Sequence, residues 1–436
     1  MKIGGIAILL IILASTARLL FANTLNDNGE ELTLMVISDV HLMHPDLLKQ
    51  DGAAFERYVA NDRKMLKESR SLLEETIGKI LAQHPRYVLV AGDLTKDGET
   101  ISHLMLRDQY LKRLRDAGIG VFVVPGNHDV NNPHAVEFLG DTTQRVATPS
   151  REEFAQIYAD YGYGNAIARD TASLSYVVDL NEQVRLLCLD ACKYYENDYD
   201  ENSCVTGGRL KDATIDFIKE QATNAKESGK RMIAMMHHGV VEHWEWQEKA
   251  MGEYLVDDWK KRADMLSKQG IEIVFTGHFH AQDIAKRGSL YDIETGSLVS
   301  YPSPYRTVTL RGNMLYVTTD LVKGDSIQLP QGVSLTDYSR EFARSGVGNI
   351  VSAVLPDEVP DSVKTMAGDA ITDAYVAHLA GDEQMNDSDD EKISYIGKLI
   401  KKHSSWKYSY IFTHIARNLW TDGDPEDNKI EIVLKK

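Results

Sequence analysis

Two short runs in the sequence concentrate side chains that bind metal ions: Gly126-Asn127-His128-Asp129 and Gly277-His278-Phe279-His280. Average residue usage would produce the first by chance, in a chain this long, with odds on the order of one in a thousand, and the second about one in a hundred. Upstream stand Asp39-Val40-His41 and Gly92-Asp93, each too short to weigh alone, and between the two runs lie His237 and His238. Brought together, the Asp, Asn and His residues of these segments would offer carboxylate, amide and imidazole donors. That mixture suits borderline cations such as Mn, Fe or Zn better than Mg, which prefers an octahedral shell of oxygens. Ions of this kind make a nucleophile from water near neutral pH and neutralise charge on a phosphoryl group.

The elements that must deliver these residues are visible as apolar runs. Leu32 to Ile37 is β-prone and ends at Ser38-Asp39; Tyr87 to Ala91 ends at Gly92-Asp93; Val121 to Val124 ends at Pro125-Gly126-Asn127. Met232 to Met236 ends at His237, and Ile271 to Thr276 at Gly277-His278. Each run stops where a polar residue would reach the rim of a sheet. Between them, apolar residues at three- and four-residue spacing predict helices near Glu56 to Ala82, His103 to Ala117, Leu210 to Ala225 and Leu255 to Lys268. Alternating strands and helices imply an α/β fold with helix-covered sheets and a site at the strand ends. Thr307 to Leu310 and Leu315 to Thr319 flank a hairpin turn. The main domain is placed at 30–322. Residues 323–436, with a helical pattern from Ser362 to Leu379 and an acidic loop from Asp382 to Glu391, read as a small accessory region.

The ordered set Asp-x-His, Gly-Asp, Gly-Asn-His-Asp, a later His and Gly-His-x-His resembles the calcineurin-like metallophosphoesterase superfamily, over roughly Leu32 to Thr319. The resemblance implies a four-layer α/β/β/α sandwich with two metal ions at the sheet edge. By the family's pattern Asp39, His41 and His280 would hold one metal, Asn127, His237 and His278 the other, and Asp93 would bridge them. A hydroxide held by the metals would attack phosphorus. His128 would stand by the leaving-group oxygen, with Asp129 orienting its imidazole. Between His237 and His238, the pattern favours His237 because it comes first after the strand; His238 remains a substrate contact or a buried neighbour. Purple acid phosphatases have a tyrosine three residues after the bridging aspartate where this chain has Lys96, which argues against a ferric-tyrosinate centre. The arginines of protein Ser/Thr phosphatases are missing at motif positions: Asp129 is followed by Val130-Asn131-Asn132.

The expected function is therefore metal-dependent hydrolysis of a small phosphate ester or nucleotide, by a phosphodiesterase or a phosphatase. Family members that keep a histidine at the His41 position commonly handle diesters, but the motifs do not separate the two activities. The alternative, a non-catalytic binding or envelope-assembly protein on the same scaffold, predicts damaged ligands, and all seven are intact. A net charge of −17, with no long basic run, argues against long nucleic acid as a partner.

Lys2, the apolar run Ile6 to Ala14 and small residues before Arg18 read as a signal peptide over 1–22, cleaved after Ala17 or Ala22; an uncleaved anchor is the alternative. Either way the chain would be exported to a periplasmic, extracellular or envelope location, touching membrane only through this segment. Cys188 reads as core, while Cys192 and Cys204 flank a loop as a disulfide or as two thiols. His44, His84, His103, His134, His243, His378, His403 and His414 match no ligand spacing and default to solvated or structural roles. Trp244, Trp246 and Tyr254, and likewise Tyr194, Tyr195 and Tyr199, wall a cleft or pack loops.

Overall fold

The computed structural model describes residues 31–62, 64–421 and 425–435. The segment expected as a signal peptide lies outside them. In one sheet the strands run in the order Lys429–Val433, Met314–Leu321, Pro304–Arg311, Leu32–Ile37, Tyr87–Val90 and Gly120–Val123. The last three are parallel, and the expected hairpin joins Leu32–Ile37 antiparallel. The other sheet runs Asp283–Arg287, Leu290–Glu294, Ile273–Thr276, Arg231–Met236, Val184–Leu189, Tyr176–Asp179 and Ala168–Arg169. Its motif-bearing strands are also parallel, so their carboxyl ends fall along one edge.

Arg231–Met236 shows why the runs are apolar throughout. Ile233 and Met235 belong to a cluster that also holds Met35, Val90 and Val308 of the first sheet. Met232, Ala234 and Met236 fall instead in a cluster with Ile215 and Ile218 of the helix Asp212–Glu227 and Ala263 and Leu266 of the helix Trp259–Lys268. Successive strand side chains point to opposite faces, so burial on both faces demands an unbroken apolar run.

Two expectations are corrected, and the choice left open for Cys192 and Cys204 falls to two thiols. The helix read over 56–82 is two helices, Ala53–Asp62 and Ser69–Gln83. In the break Met65 N donates to Val299 O (2.9 Å) and Met43 N to Ser69 Oγ (3.2 Å), so tertiary bonds override helical periodicity. The acidic loop is helical from Asp387 to His403. Asn386 caps that helix by accepting from Asp389 N, and its acids sit at the positive end of the macrodipole. Cys192 and Cys204 are not bridged: Cys192 Sγ lies 3.3 Å from Pro125 O, and Cys204 Sγ donates to Asn132 Oδ1 (2.8 Å).

Beyond 322 the helices Leu335–Val354, Asp361–Ala380, Asp387–His403 and Trp406–Asn418 contribute to a further cluster that also takes in Trp244, Phe279, Ala281 and Tyr301, while Lys429–Val433 returns to the first sheet. No helix among the described residues is long and apolar enough to cross a membrane.

Candidate metal centre

The motif residues leave their strands through tight turns. Asp39, His41, Asp93, His278 and His280 all have positive φ, between 40° and 80°, a region non-glycine residues rarely enter except where surrounding structure enforces it. Backbone bonds from Asp39 N to Gly92 O (3.1 Å) and His41 N to Asp93 O (2.9 Å) stitch two of these turns together. The motif glycines are explained by close approach. A Cβ at Gly92, itself at φ 91°, would lie 2.5 Å from His237 Nδ1; one at Gly126 would meet the Asp93 carboxylate, and one at Gly277 would meet Ser38.

Each carboxylate has one oxygen tied down and one left facing the site. Asp93 Oδ1 accepts from His128 N (3.0 Å), which leaves Oδ2 at 3.5 Å from His41 Nε2 and 3.3 Å from His237 Nε2. Asp39 Oδ2 accepts from Ser38 Oγ and His278 N (3.0 Å), leaving Oδ1 at 3.2 Å from His280 Nε2. His237 Nδ1 donates to the Ala91 carbonyl (2.8 Å), so Nε2 points at Asn127 Oδ1 (3.2 Å). The potential ligand atoms of Asp39, His41 and His280 all lie within 4.8 Å of one another, as do those of Asp93, His237 and His278. The His238 ring turns away, its Nε2 set 2.9 Å from Thr206 O.

These donors fit cations. Asp39 Oδ1 and both ring nitrogens of His41 are buried with no hydrogen-bond partner among the described residues, a state that buried polar atoms seldom tolerate and that a bound metal relieves. Burial pushes the His41 pKa well down, which keeps the imidazole in the neutral form that ligates. For Asp93, burial acts upward, but the facing His237 and His128 outweigh it and hold the carboxyl well below its usual range. His237 goes the other way: against burial, Asp93 and Asp39 raise it to about 9, so a metal ion must displace a proton there.

The expected pairing of Asp129 with the His128 ring is corrected. Asp129 is fully buried and accepts from Gly126 N (2.8 Å), Leu94 N (3.0 Å) and Thr95 N (3.1 Å), fastening the two glycine turns to each other. The His128 ring instead meets Asp97, with Nδ1 2.8 Å from Oδ1. Asp97 is held by Lys96 Nζ (2.6 Å) and Tyr58 OH (2.8 Å), and Lys96 also bonds Glu99 (2.8 Å). Burial pushes Asp97 upward, yet Lys96 and His128 more than offset it, so Asp97 stays ionised and Nδ1 of His128 must be the donor. His128 Nε2 then faces Asp93 Oδ2 (3.9 Å) and a second residue absent from the motifs, Lys64, whose Nζ is 3.4 Å away.

The C-terminal helices reach this site through the variable position of Gly-His-x-His. Phe279 is buried in the helical cluster, with ring centroids 6.3 Å from Tyr375 and 5.7 Å from His378. Tyr254 stands 4.8 Å from the His278 ring, whereas Trp246 packs on His414 at 3.9 Å and Trp244 is buried. Tyr194 is buried with its hydroxyl on Asp190 (3.0 Å), and Tyr195 is exposed. His103 and His243 are buried structural groups: His103 bonds Asp129 O (2.9 Å) and Tyr158 OH (2.8 Å), and His243 bonds Asp283 (2.6 Å).

A family model, the calcineurin-like phosphoesterases, matches residues 32–282 and so includes every residue of the two donor groups. The chain belongs to the calcineurin-like phosphoesterase family. It is a metallophosphoesterase, a hydrolase of phosphoric esters from a family that uses dimetal centres. Among solved structures, a dimetal phosphatase from Danio rerio is 14% identical with a TM-score of 0.47, over 66% of this chain and 95% of that one. A putative 5'-nucleotidase from Staphylococcus aureus is 14% identical with a TM-score of 0.38, over 72% of this chain and 57% of that one. No curated protein matches the phosphoesterase in sequence.

Proposed function

We propose that the phosphoesterase hydrolyses a small phosphate ester or nucleotide at two cations, one held by Asp39, His41 and His280 and the other by Asn127, His237 and His278, with Asp93 shared. The observation that carries this reading is Asp93 Oδ2, which faces His41 and His237 from 3.5 and 3.3 Å. Bound cations would supply Lewis acidity, activating water and neutralising phosphoryl charge. The donor mixture favours Mn, Fe or Zn over Mg.

The chain's own contribution centres on His128. With Nδ1–H committed to Asp97, the partly exposed ring presents Nε2 to the leaving-group side, where in its protonated form it donates to the departing oxygen. The buried Lys96–Asp97 pair fixes the ring's rotation, so orientation is settled before substrate arrives. The same reading takes the protein to be exported, on the strength of the apolar run Ile6 to Ala14.

The test strips the protein with a chelator, restores Mn, Fe or Zn separately, and assays 4-nitrophenyl phosphate beside its bis-ester. Metal-restored hydrolysis of at least one is expected; hydrolysis of neither with any metal would overturn the proposal.

A further inference from the structure

Lys64 sets its Nζ 3.4 Å from His128 Nε2, and nothing in the motifs announces it. It is only 4% exposed. Its position is built rather than incidental. Leu66 N donates to the Lys64 carbonyl (2.8 Å), Met65 N to Val299 O (2.9 Å), and Ser69 Oγ to Leu66 O (2.8 Å). The partner loop of Val299 is itself tied to the metal centre, since Ser297 Oγ donates to Asp39 O (2.9 Å). The helix break at 64–68 therefore brings an ammonium to the edge of the donor groups, on the side where His128 Nε2 faces Asp93.

An ammonium at that place has chemistry to do. The motif positions provide no arginine for phosphoryl oxygens, and Lys64 stands where one would be useful. A fixed positive charge also distinguishes esters by charge. A phosphomonoester near neutral pH carries close to two negative charges and a diester carries one, so the cation attracts the monoester more strongly.

We propose that the Lys64 ammonium binds a non-bridging phosphoryl oxygen of the substrate beside His128 and biases the enzyme toward dianionic phosphomonoesters over monoanionic diesters. This rests on the phosphoesterase reading above, and it runs against the diester tendency attached to His41.

The experiment compares wild type, Lys64→Met and Lys64→Arg, each metal-loaded, in two readouts: kcat/KM on 4-nitrophenyl phosphate and its bis-ester, and equilibrium binding of inorganic phosphate. Loss of a charge-assisted contact should lower monoester kcat/KM in Lys64→Met about 10–100-fold and weaken phosphate binding about tenfold. The diester should fall less than about threefold, and Lys64→Arg, which keeps the charge, should recover most of the monoester preference. Equal loss on both esters, or unchanged phosphate binding in Lys64→Met, would overturn the assignment. Should the wild type hydrolyse neither ester, the phosphoesterase reading falls by itself. Phosphate binding then still decides the role of Lys64, weakened binding in Lys64→Met upholding the contact and unchanged binding refuting it.

Discussion

His128 donates its Nδ1 proton to Asp97 Oδ1 across 2.8 Å, while Asp129, its sequence neighbour, turns both oxygens to backbone amides. A sequence neighbour and a spatial partner thus divide the work: Asp129 builds the turn and Asp97 orients the ring. In Asp97→Asn the carboxylate that fixes the His128 tautomer is gone. Turnover is expected to fall about 10–100-fold with metal content unchanged. Burial and Lys64 depress the His128 pKa, while Asp93 and Asp97 raise it to a net increase; removing Asp97 should therefore move the basic limb of the kcat–pH profile to lower pH. His128→Ala should lose roughly 10²–10⁴-fold, again with metal retained. A loss of metal in either variant would place His128 among the ligands.

Phe279 couples the centre to the C-terminal helices, since its ring is buried among their side chains while its chain neighbours are His278 and His280. Phe279→Ala is expected to destabilise the fold by about 3–5 kcal/mol, as large-to-small changes of buried aromatics do. Because the cavity opens beside two ligand turns, metal affinity should weaken as well. Denaturant unfolding and metal titration of the same variant check both; full stability would show that the helices do not brace the motif.

Metal binding should depend on pH with a definite sign. His237 holds its proton up to about 9, and that proton must leave before Nε2 can ligate. The apparent dissociation constant for Mn or Zn should therefore rise as pH falls below 9, by about tenfold per unit for one competing proton. Titrations at pH 8, 7 and 6 measure the slope. A flat profile would remove His237 from the ligand set.

Burial holds His103 at about 3, well below the unfolded value near 6.5. Between those values the unfolded chain binds more protons, so stability is fully present above 6.5 and is lost as pH falls toward 3. One such group gives a slope of up to about 1.4 kcal/mol per pH unit. Unfolding free energies of wild type and His103→Asn at pH 7, 6 and 5 should converge on acidification; parallel curves would mean His103 is not held neutral.

The strand ends were legible in the sequence because a local rule governs them: apolar runs must end where a sheet edge meets solvent. The reason for the motif glycines was not, because the atoms a Cβ would strike at Gly92 and Gly126 belong to His237 and Asp93, which only folding brings there. Asp97 and Lys64 were not legible. Asp97 lies one turn past Gly92-Asp93 in a run with no ligand spacing, and only folding shows that it faces a ring 31 residues away. Lys64 falls inside a stretch whose periodicity reads as helix, and tertiary bonds to Val299 and Met43 break that helix. The helical start at Asp387 was hidden for a related reason: acids that suggest a solvated loop also favour a helix N-terminus.

The central claim is a two-metal centre shared through Asp93, and metal stoichiometry tests it most directly. Chelator-treated wild type, back-titrated with Mn or Zn and analysed for bound metal, should take up two ions per chain and regain hydrolysis of a nitrophenyl ester. Asp93→Asn, without the shared charge between His41 and His237, should bind fewer than two under the same conditions and lose turnover. A wild type that binds no more than one ion, or an Asp93→Asn protein that binds two and turns over at the wild-type rate, would contradict the account.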